Sequence, residues 1–282
     1  MNETLHSEQI AYWNGPGGDH WAAQQERTDR VLVEIGTASL ARAAAQPGES
    51  VIDVGCGCGA TTIGLAEAVG PQGRVLALDV SAPMLGRARA RLAANGNVSF
   101  ALADAAAHEF AGAEADLLFS RFGVMFFGDP TAAFANLRRG LKRDGRTVFA
   151  CWRAPALNPW MTVPLTAAYA HVPKLPQLGP EDPGPFSFAD PDRVRRILTG
   201  AGFVDVALEP VDLASDLATA GGLEAAVDYV LAIGPTSRAL QGHPPETRAL
   251  VADSVRAALA PYAQGAEIRL AAAIWIVRAT AP

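Results

Sequence analysis

Between residues 50 and 150 two hydrophobic rhythms alternate. Short runs that are apolar at almost every position (VIDV at 51–54, RVLALDV at 74–80, NVSFALAD at 97–104, ADLLFS at 115–120, RTVFACW at 146–152) are separated by stretches in which apolar residues recur every three or four positions. The runs read as strands buried on both faces, and the intervening ATTIGLAEAVG, APMLGRARARLAAN and TAAFANLRRGL read as helices. In the second of these Met84, Leu85, Ala88 and Leu92 share one face, Ser81 is placed to cap the start, and Asn95-Gly96 ends it. Strands alternating with helices predict an α/β fold with a parallel sheet covered on both sides.

Beyond residue 152 the rhythm breaks. Residues 153–191 hold nine of the chain's 20 prolines, which predicts an ordered connection without regular structure. DPDRVRRILTGAGF then predicts a helix capped by Asp190, FVDVALEP a sixth strand, residues 222–262 further helices, and EIRLAAAIWIVRA a last strand. The first 45 residues predict two helices split by a glycine-rich turn, WNGPGGDHW at 13–21. These boundaries suggest a helical cap over 1–45, an α/β core over 46–152, a proline-rich cap over 153–190, and completion of the sheet over 191–282 with a helical insertion at 211–266.

Composition narrows the class. Half of the 282 residues are hydrophobic and 18% are charged, enough for a sizeable core. A net charge of −6, with Lys142 and Lys174 the only lysines, argues against a nucleic-acid partner, which needs a basic face. MNETLHSEQIAYW lacks a basic-then-apolar leader, and the longest apolar run, LAAAIWIV at 270–277, is far below the roughly 18 residues of a membrane span. Three cysteines imply no disulfide framework. A soluble, cytoplasmic protein is expected.

The chemistry concentrates in VIDVGCGCGATT at 51–62. Cys56-x-Cys58 lacks the spacing and the second ligand pair of a zinc site, and no metal is expected. The glycines are more informative: a strand ending in Gly55-x-Gly57-x-Gly59 and opening a helix lets a ligand approach bare backbone. Gly55, Gly57 and Ala60 also fit a looser Gly-x-Gly-x-x-Ala dinucleotide pattern. Asp53 stands two residues before the first glycine, where it can meet a positive ligand group. Asp79 ends the second strand, where it can take two ribose hydroxyls, and Asp104 ends the third, where it can take an adenine amino group. Ligands of open α/β sheets bind along this edge.

DVGCGCG, LALDVSAPML and LADA, in this order and spacing, resemble the class I S-adenosylmethionine-dependent methyltransferases. Within that family the chain is most similar to the small-molecule group that includes ubiquinone/menaquinone-biosynthesis-type C-methyltransferases, with the resemblance spanning 48–152. Cys58 departs from the Thr or Ser common at its position. The resemblance implies a Rossmann-like seven-stranded sheet whose final strand lies antiparallel beside the sixth. It also implies S-adenosylmethionine as cofactor. Asp53 and the loop of Gly55, Cys56, Gly57 and Gly59 would hold its methionine portion and Asp79 its ribose. Val80 and Met84 would flank the adenine, and Ala103, Asp104 and Ala105 would meet its edge.

By the same resemblance SRFGVMFFGDP at 120–130 passes under the transferable methyl group. Ser120 and Arg121 would face donor or substrate, with Phe122, Phe126 and Phe127 as a wall. The N-terminal segment would be a flap, with Trp13, His20 and Trp21 over the sulfonium. His20 and Arg121 are the candidates for catalysis, with His171 a second place to look for a base. Trp13, Phe122, Trp152, Trp160, Tyr169 and His171 are candidates for the substrate pocket, and Phe186, Phe188 and Tyr229 add to the apolar content of the caps. The expected function is methyl transfer by in-line displacement to a small hydrophobic or aromatic molecule. A nicotinamide-dependent oxidoreductase and a non-catalytic S-adenosylmethionine-binding protein remain open alternatives. The acceptor and the oligomeric state are not legible.

Overall fold

The computed structural model describes residues 2–179 and 181–282. The parallel strands are β1 (Ser50–Val54), β2 (Arg74–Asp79), β3 (Val98–Leu102), β4 (Ala115–Arg121) and β5 (Leu141–Trp152). They alternate with helices α5 (Ala60–Val69), α6 (Ala82–Arg91) and α7 (Pro130–Arg139). After α9 (Pro191–Gly200) come β6 (Val204–Asp216), the two-residue β7 (Ala263–Gln264) and β8 (Glu267–Thr280). The sheet order is β3-β2-β1-β4-β5-β8-β6, with β7 paired to β8 outside this path. As expected, the last long strand enters antiparallel between β5 and β6. The order reverses between β1 and β4, which opens a crevice at their carboxyl ends.

The rhythm of the sequence explains the layers. Val51, Val54, Leu117, Leu118, Phe119, Val148 and Phe149 are buried, and helices close over both faces of these strands. The α6 face expected from the spacing is buried through Met84, Leu85, Ala88 and Leu92. Fully burying a side chain of this kind contributes about 1.5–3 kcal/mol, so these periodic positions fix which way each helix faces. Asp190 accepts the Asp192 N–H at 2.9 Å and caps α9 as expected.

Three expectations need correction. The first 45 residues form four short helices rather than two: α1 (Asn2–Trp13), α2 (Pro16–Ala23), α3 (Gln25–Val31) and α4 (Val33–Ala43). The turn within the glycine-rich stretch is confined to Asn14-Gly15, between α1 and α2, and the stretch continues as helix from Pro16. Its glycines serve close packing: a Cβ at Gly17 would come 2.5 Å from the Tyr12 ring, and one at Gly18 would meet the Trp13 carbonyl and Ser81 Oγ.

Second, the proline-rich segment contains a helix, α8 (Pro159–Ala168), with Pro164 inside it. Its buried face of Trp160, Met161, Pro164 and Ala168 offsets the lost backbone hydrogen bond. Third, 211–216 belongs to strand β6, whose pairing with β8 runs from Val204↔Thr280 to Asp216↔Arg269. The helices of this part are α10 (Gly222–Ala232), α11 (Gly234–Ala239) and α12 (Pro245–Leu259). Among the described residues no helix is long and apolar enough to cross a membrane.

Candidate active site

The glycine loop is held by its neighbours. Gly55, Gly57 and Gly59 have φ of 67°, 56° and 82°, a region costly for residues with a Cβ. Gly55 also packs on the backbone after β4, where its Cβ would lie 2.6 Å from Gly123 Cα. Gly123 has no room either, since a Cβ there would be 2.6 Å from the Val54 carbonyl oxygen. Ser120 fastens this contact: its Oγ donates to the Val54 carbonyl at 2.8 Å and accepts the Gly123 N–H at 3.1 Å.

Asp79 completes the loop from β2. Its Oδ2 accepts the Gly57 N–H at 2.7 Å and its Oδ1 the Ser81 N–H at 2.8 Å. Burial raises its pKa against these hydrogen bonds. Asp53 lies beneath the loop, fully buried, with Oδ2 accepting from Thr62 Oγ at 2.7 Å. Its Oδ1 is buried without a partner. Burial lifts the Asp53 pKa to about 6 against the Thr62 hydrogen bond and the positive charge of Arg121.

A cavity of about 680 Å³ opens above this edge. It brings together Gly55, Cys56, Gly57, Asp79, Val80, Met84, Ala103, Asp104 and Ala105 with Trp13, Trp21, Arg121, Phe122, Trp152, Trp160 and Tyr169. Phe126, Phe127 and Phe186 line it too. Asp53, Gly59 and Ser120 stand behind the lining, the last two as loop supports; Phe188 and Tyr229 are buried in the core. Asp104 Oδ1 also accepts the Ala106 N–H at 2.9 Å, so this acid shapes its own turn.

Two further candidates lie away from the cavity altogether. His20 is exposed on the outside of α2, and His171 is exposed and bonded to Ser254 Oγ at 2.8 Å. Glycine packing inside α2 turns His20 outward while Trp21 points in. The cysteines of the loop are buried and unpaired. Burial carries the thiol of Cys56 well above its ordinary value and that of Cys58 to about 12, so both act as small, inert side chains. Among the described residues no cluster of three or more His, Cys, Asp or Glu is placed to hold a metal.

The two ends of the cavity differ. One end is aromatic: Phe122 stacks on Trp152 at 4.0 Å and 13°, and Trp160 leans on Trp152 at 5.2 Å. Phe122 adopts φ of 71°, a costly conformation for a bulky residue that swings its ring beside the glycine contact. Above the loop, Trp13 packs edge-on against Trp21 and Phe126 at 5.8 and 5.5 Å. The lining also has a polar part, Gln25, Thr28 and Asp29 from α3, and the Asp29 carboxylate acts on the charge of Arg121.

Several contributors had no sequence signal. Asn14 clasps the cap to the sheet, its Nδ2 donating to the Val80 carbonyl at 2.7 Å and its Oδ1 accepting the Ala82 N–H at 3.0 Å. Ser81 Oγ adds a bond to the Trp13 carbonyl at 2.6 Å. Gly123 and the α3 side chains are likewise visible only in three dimensions.

A sheet of this order, with a glycine loop after β1 and acids ending β2 and β3, is a Rossmann-like fold of the kind found in methyltransferases of known structure. Residues 51–145 match the family described as Methyltransferase domain. The chain is 34% identical to the nocamycin O-methyltransferase of Saccharothrix syringae over 57% of its own length and 61% of that protein. Identity to the ubiquinone/menaquinone biosynthesis C-methyltransferase UbiE of Shewanella oneidensis is 28%, over 57% of this chain and 69% of that one. The match therefore spans less than two thirds of the nocamycin enzyme. The fold superposes on phosphoethanolamine N-methyltransferase 2 of Haemonchus contortus, solved with S-adenosyl-L-methionine, with a TM-score of 0.56 at 16% identity. That superposition covers 93% of this chain and 57% of the other.

Proposed function

We propose that the protein transfers a methyl group from S-adenosylmethionine to a small hydrophobic or aromatic molecule. One observation carries the reading: a single cavity joins the loop-and-aspartate edge to an aromatic pocket, with room for donor and acceptor side by side. The residues suit the donor. The loop lines the cavity with the bare backbone of Gly55 and Gly57, and Asp53 Oδ1 is an orphaned buried acceptor suited to a cationic tail. Asp79 suits the ribose, Val80 and Met84 the adenine faces, and Ala103, Asp104 and Ala105 its edge. The donor domain is then 46–152, and the N-terminal helices, 153–190 and α10–α12 form the caps. The buried, unpaired cysteines accord with a reducing, cytoplasmic setting.

The bound sulfonium supplies an already activated methyl group. The chain's own part is alignment and dryness. Trp13, Trp21 and Phe126 shield the reacting end and offer ring faces to a cation. Phe122 and Trp152 offer a flat wall for the acceptor. Among the described residues no histidine lines the cavity, which favours catalysis by proximity and orientation over a dedicated histidine base.

Two comparisons test the reading. In thermal-shift titration, S-adenosylmethionine and S-adenosylhomocysteine should stabilise the protein while NAD and NADP do not; the reverse pattern assigns an oxidoreductase. Labelled methyl should then pass to at least one member of a phenol, quinone and amine panel. Tight S-adenosylhomocysteine binding without any transfer would leave a non-catalytic binder.

A further inference from the structure

Trp160 lies in the first turn of α8 and forms part of the cavity wall, only 7% exposed. Its indole N–H is buried and has no hydrogen-bond partner. Trp275, also partly buried, shows the usual outcome: its indole N–H donates to the Ala189 carbonyl at 3.0 Å. Folded proteins leave few buried donors unpaired, and each one left costs the desolvation of the group. The wall around Trp160 offers it no acceptor. Trp152 leans on it at 5.2 Å, and Phe122, Met161 and Leu165 line the same cavity. Tyr169, past the end of α8, already uses its oxygen to accept the Leu175 N–H at 3.4 Å.

The chain holds this ring in place through Asn158, which is fully buried two residues earlier. Its Nδ2 donates to the Ala273 carbonyl at 3.1 Å, and its Oδ1 accepts the Ala273 N–H at 2.9 Å. Its own carbonyl takes the Met161 N–H at 3.0 Å. The first turn of α8 is thereby fastened to β8. With the backbone fixed, the side-chain torsions are what remain to bring the N–H to the open space that the ring borders.

We infer that the Trp160 N–H is the hydrogen-bond donor to an oxygen of the methyl acceptor, and that the acceptor is a flat ring system carrying a carbonyl. The inference rests on the proposed function and deepens it by naming the acceptor's polar handle. An indole N–H donates and cannot accept, so the ligand must bring a lone pair. Phe122 stacked on Trp152 at 13° gives a flat wall beside it, which suits a planar ring. A carbonyl supplies the lone pair without a hydrogen that would itself need a partner among apolar neighbours. Helix α8 lies beyond the 51–145 match, so this handle sorts acceptors and leaves donor binding alone. Trp160 is a specificity residue in this assignment and takes no part in bond making.

The probes are 1-tetralone and tetralin, fused two-ring molecules that differ by one carbonyl oxygen. Calorimetry of the full chain, with and without saturating S-adenosylhomocysteine, should show the ketone binding more tightly by roughly 3- to 10-fold, the effect of one neutral hydrogen bond. Trp160→Phe keeps a ring without the N–H and should erase that preference by weakening 1-tetralone alone. Trp160→His, which restores a ring N–H, should recover part of it. A melting curve of each variant checks that the fold survives. In wild-type protein with isotope-labelled indole nitrogens, one of the five tryptophan N–H signals should move downfield with 1-tetralone and hold with tetralin. That signal should be the one missing from Trp160→Phe.

Equal weakening of both probes by Trp160→Phe would reduce the ring to packing and overturn the inference. A wild-type protein that binds both probes alike, or neither, overturns it as well. Failure of the proposed function is distinct: S-adenosylmethionine and S-adenosylhomocysteine would then leave the melting temperature unmoved, whatever the preference for the ketone.

Discussion

Asp53 tests the electrostatics of the site most directly. Its carboxyl is fully buried, one oxygen is satisfied by Thr62, and the other has no partner. Burial raises its pKa from the ordinary 3.8 to about 6, so ionising Asp53 costs more in the folded chain than in the unfolded one. The sign follows from linkage. A carboxyl with a raised folded pKa lets the folded state hold its proton longer, so its penalty is absent below about pH 4 and grows through the interval to pH 6. Above pH 6 the penalty is complete. At 1.36 kcal/mol per pH unit it comes to about 3 kcal/mol, an upper estimate.

Asp53→Asn keeps an acceptor for Thr62 and removes the charge. At pH 8 it should therefore melt roughly 6 °C above the wild-type protein. The gain should shrink to about half by pH 5 and nearly vanish near pH 4. The same variant should bind S-adenosylmethionine more weakly, because the ammonium loses its counter-charge. Differential scanning calorimetry across this pH range, paired with calorimetric titration, reads both effects. A variant no more stable than wild type at pH 8, or a gain independent of pH, would refute the assignment of buried charge.

Four other changes probe the geometry. Asp79→Ala strips the acceptor from the Gly57 and Ser81 amides as well as from the donor's ribose, so it should abolish measurable S-adenosylhomocysteine binding and lower stability by about 1–3 kcal/mol, read by titration and urea denaturation. Gly123→Ala forces a methyl into the Val54 carbonyl and the Gly55 backbone; a loss of donor affinity of at least tenfold is expected by titration, and unchanged affinity would mean the contact is slack. His20→Ala and His171→Ala should each leave kcat/KM within twofold once an acceptor is in hand, since both rings are exposed outside the cavity.

The fold was legible where the information is local. A strand buried on both faces must be apolar throughout, and a glycine loop with acids on adjacent strand ends lies within a few residues of each element. These features identify the sheet and the donor edge. The caps obey longer-range rules. Gly17 and Gly18 look like a turn, but they are small because Tyr12, Trp13 and Ser81 crowd them, and the same packing lets α2 run through them. Pro164 looks like a break, but the burial of α8 sustains the helix around it. At the site, neither the Asn14 clasp nor the contact between Gly55 and Gly123 has a periodic signature, because each joins residues more than 60 positions apart. His20 misled because sequence places it next to Trp21, whereas a helix turns neighbouring side chains to different sides.

The position of β8 has a consequence for biosynthesis. The strand that pairs along β5 through Val148↔Arg278 is synthesised after every other strand of this sheet, yet it sits inside the sheet between β5 and β6. Until it arrives, the edge of β5 shows unpaired amides and carbonyls along an apolar run, Val148-Phe149-Ala150, the kind of surface that recruits strands from other chains. The donor half can assemble early, but β6 has no place in the sheet before β8 intervenes. Maturation of this protein is therefore a race between late closure of the sheet and aggregation through β5, and slower translation of residues 204–280 lengthens that exposure.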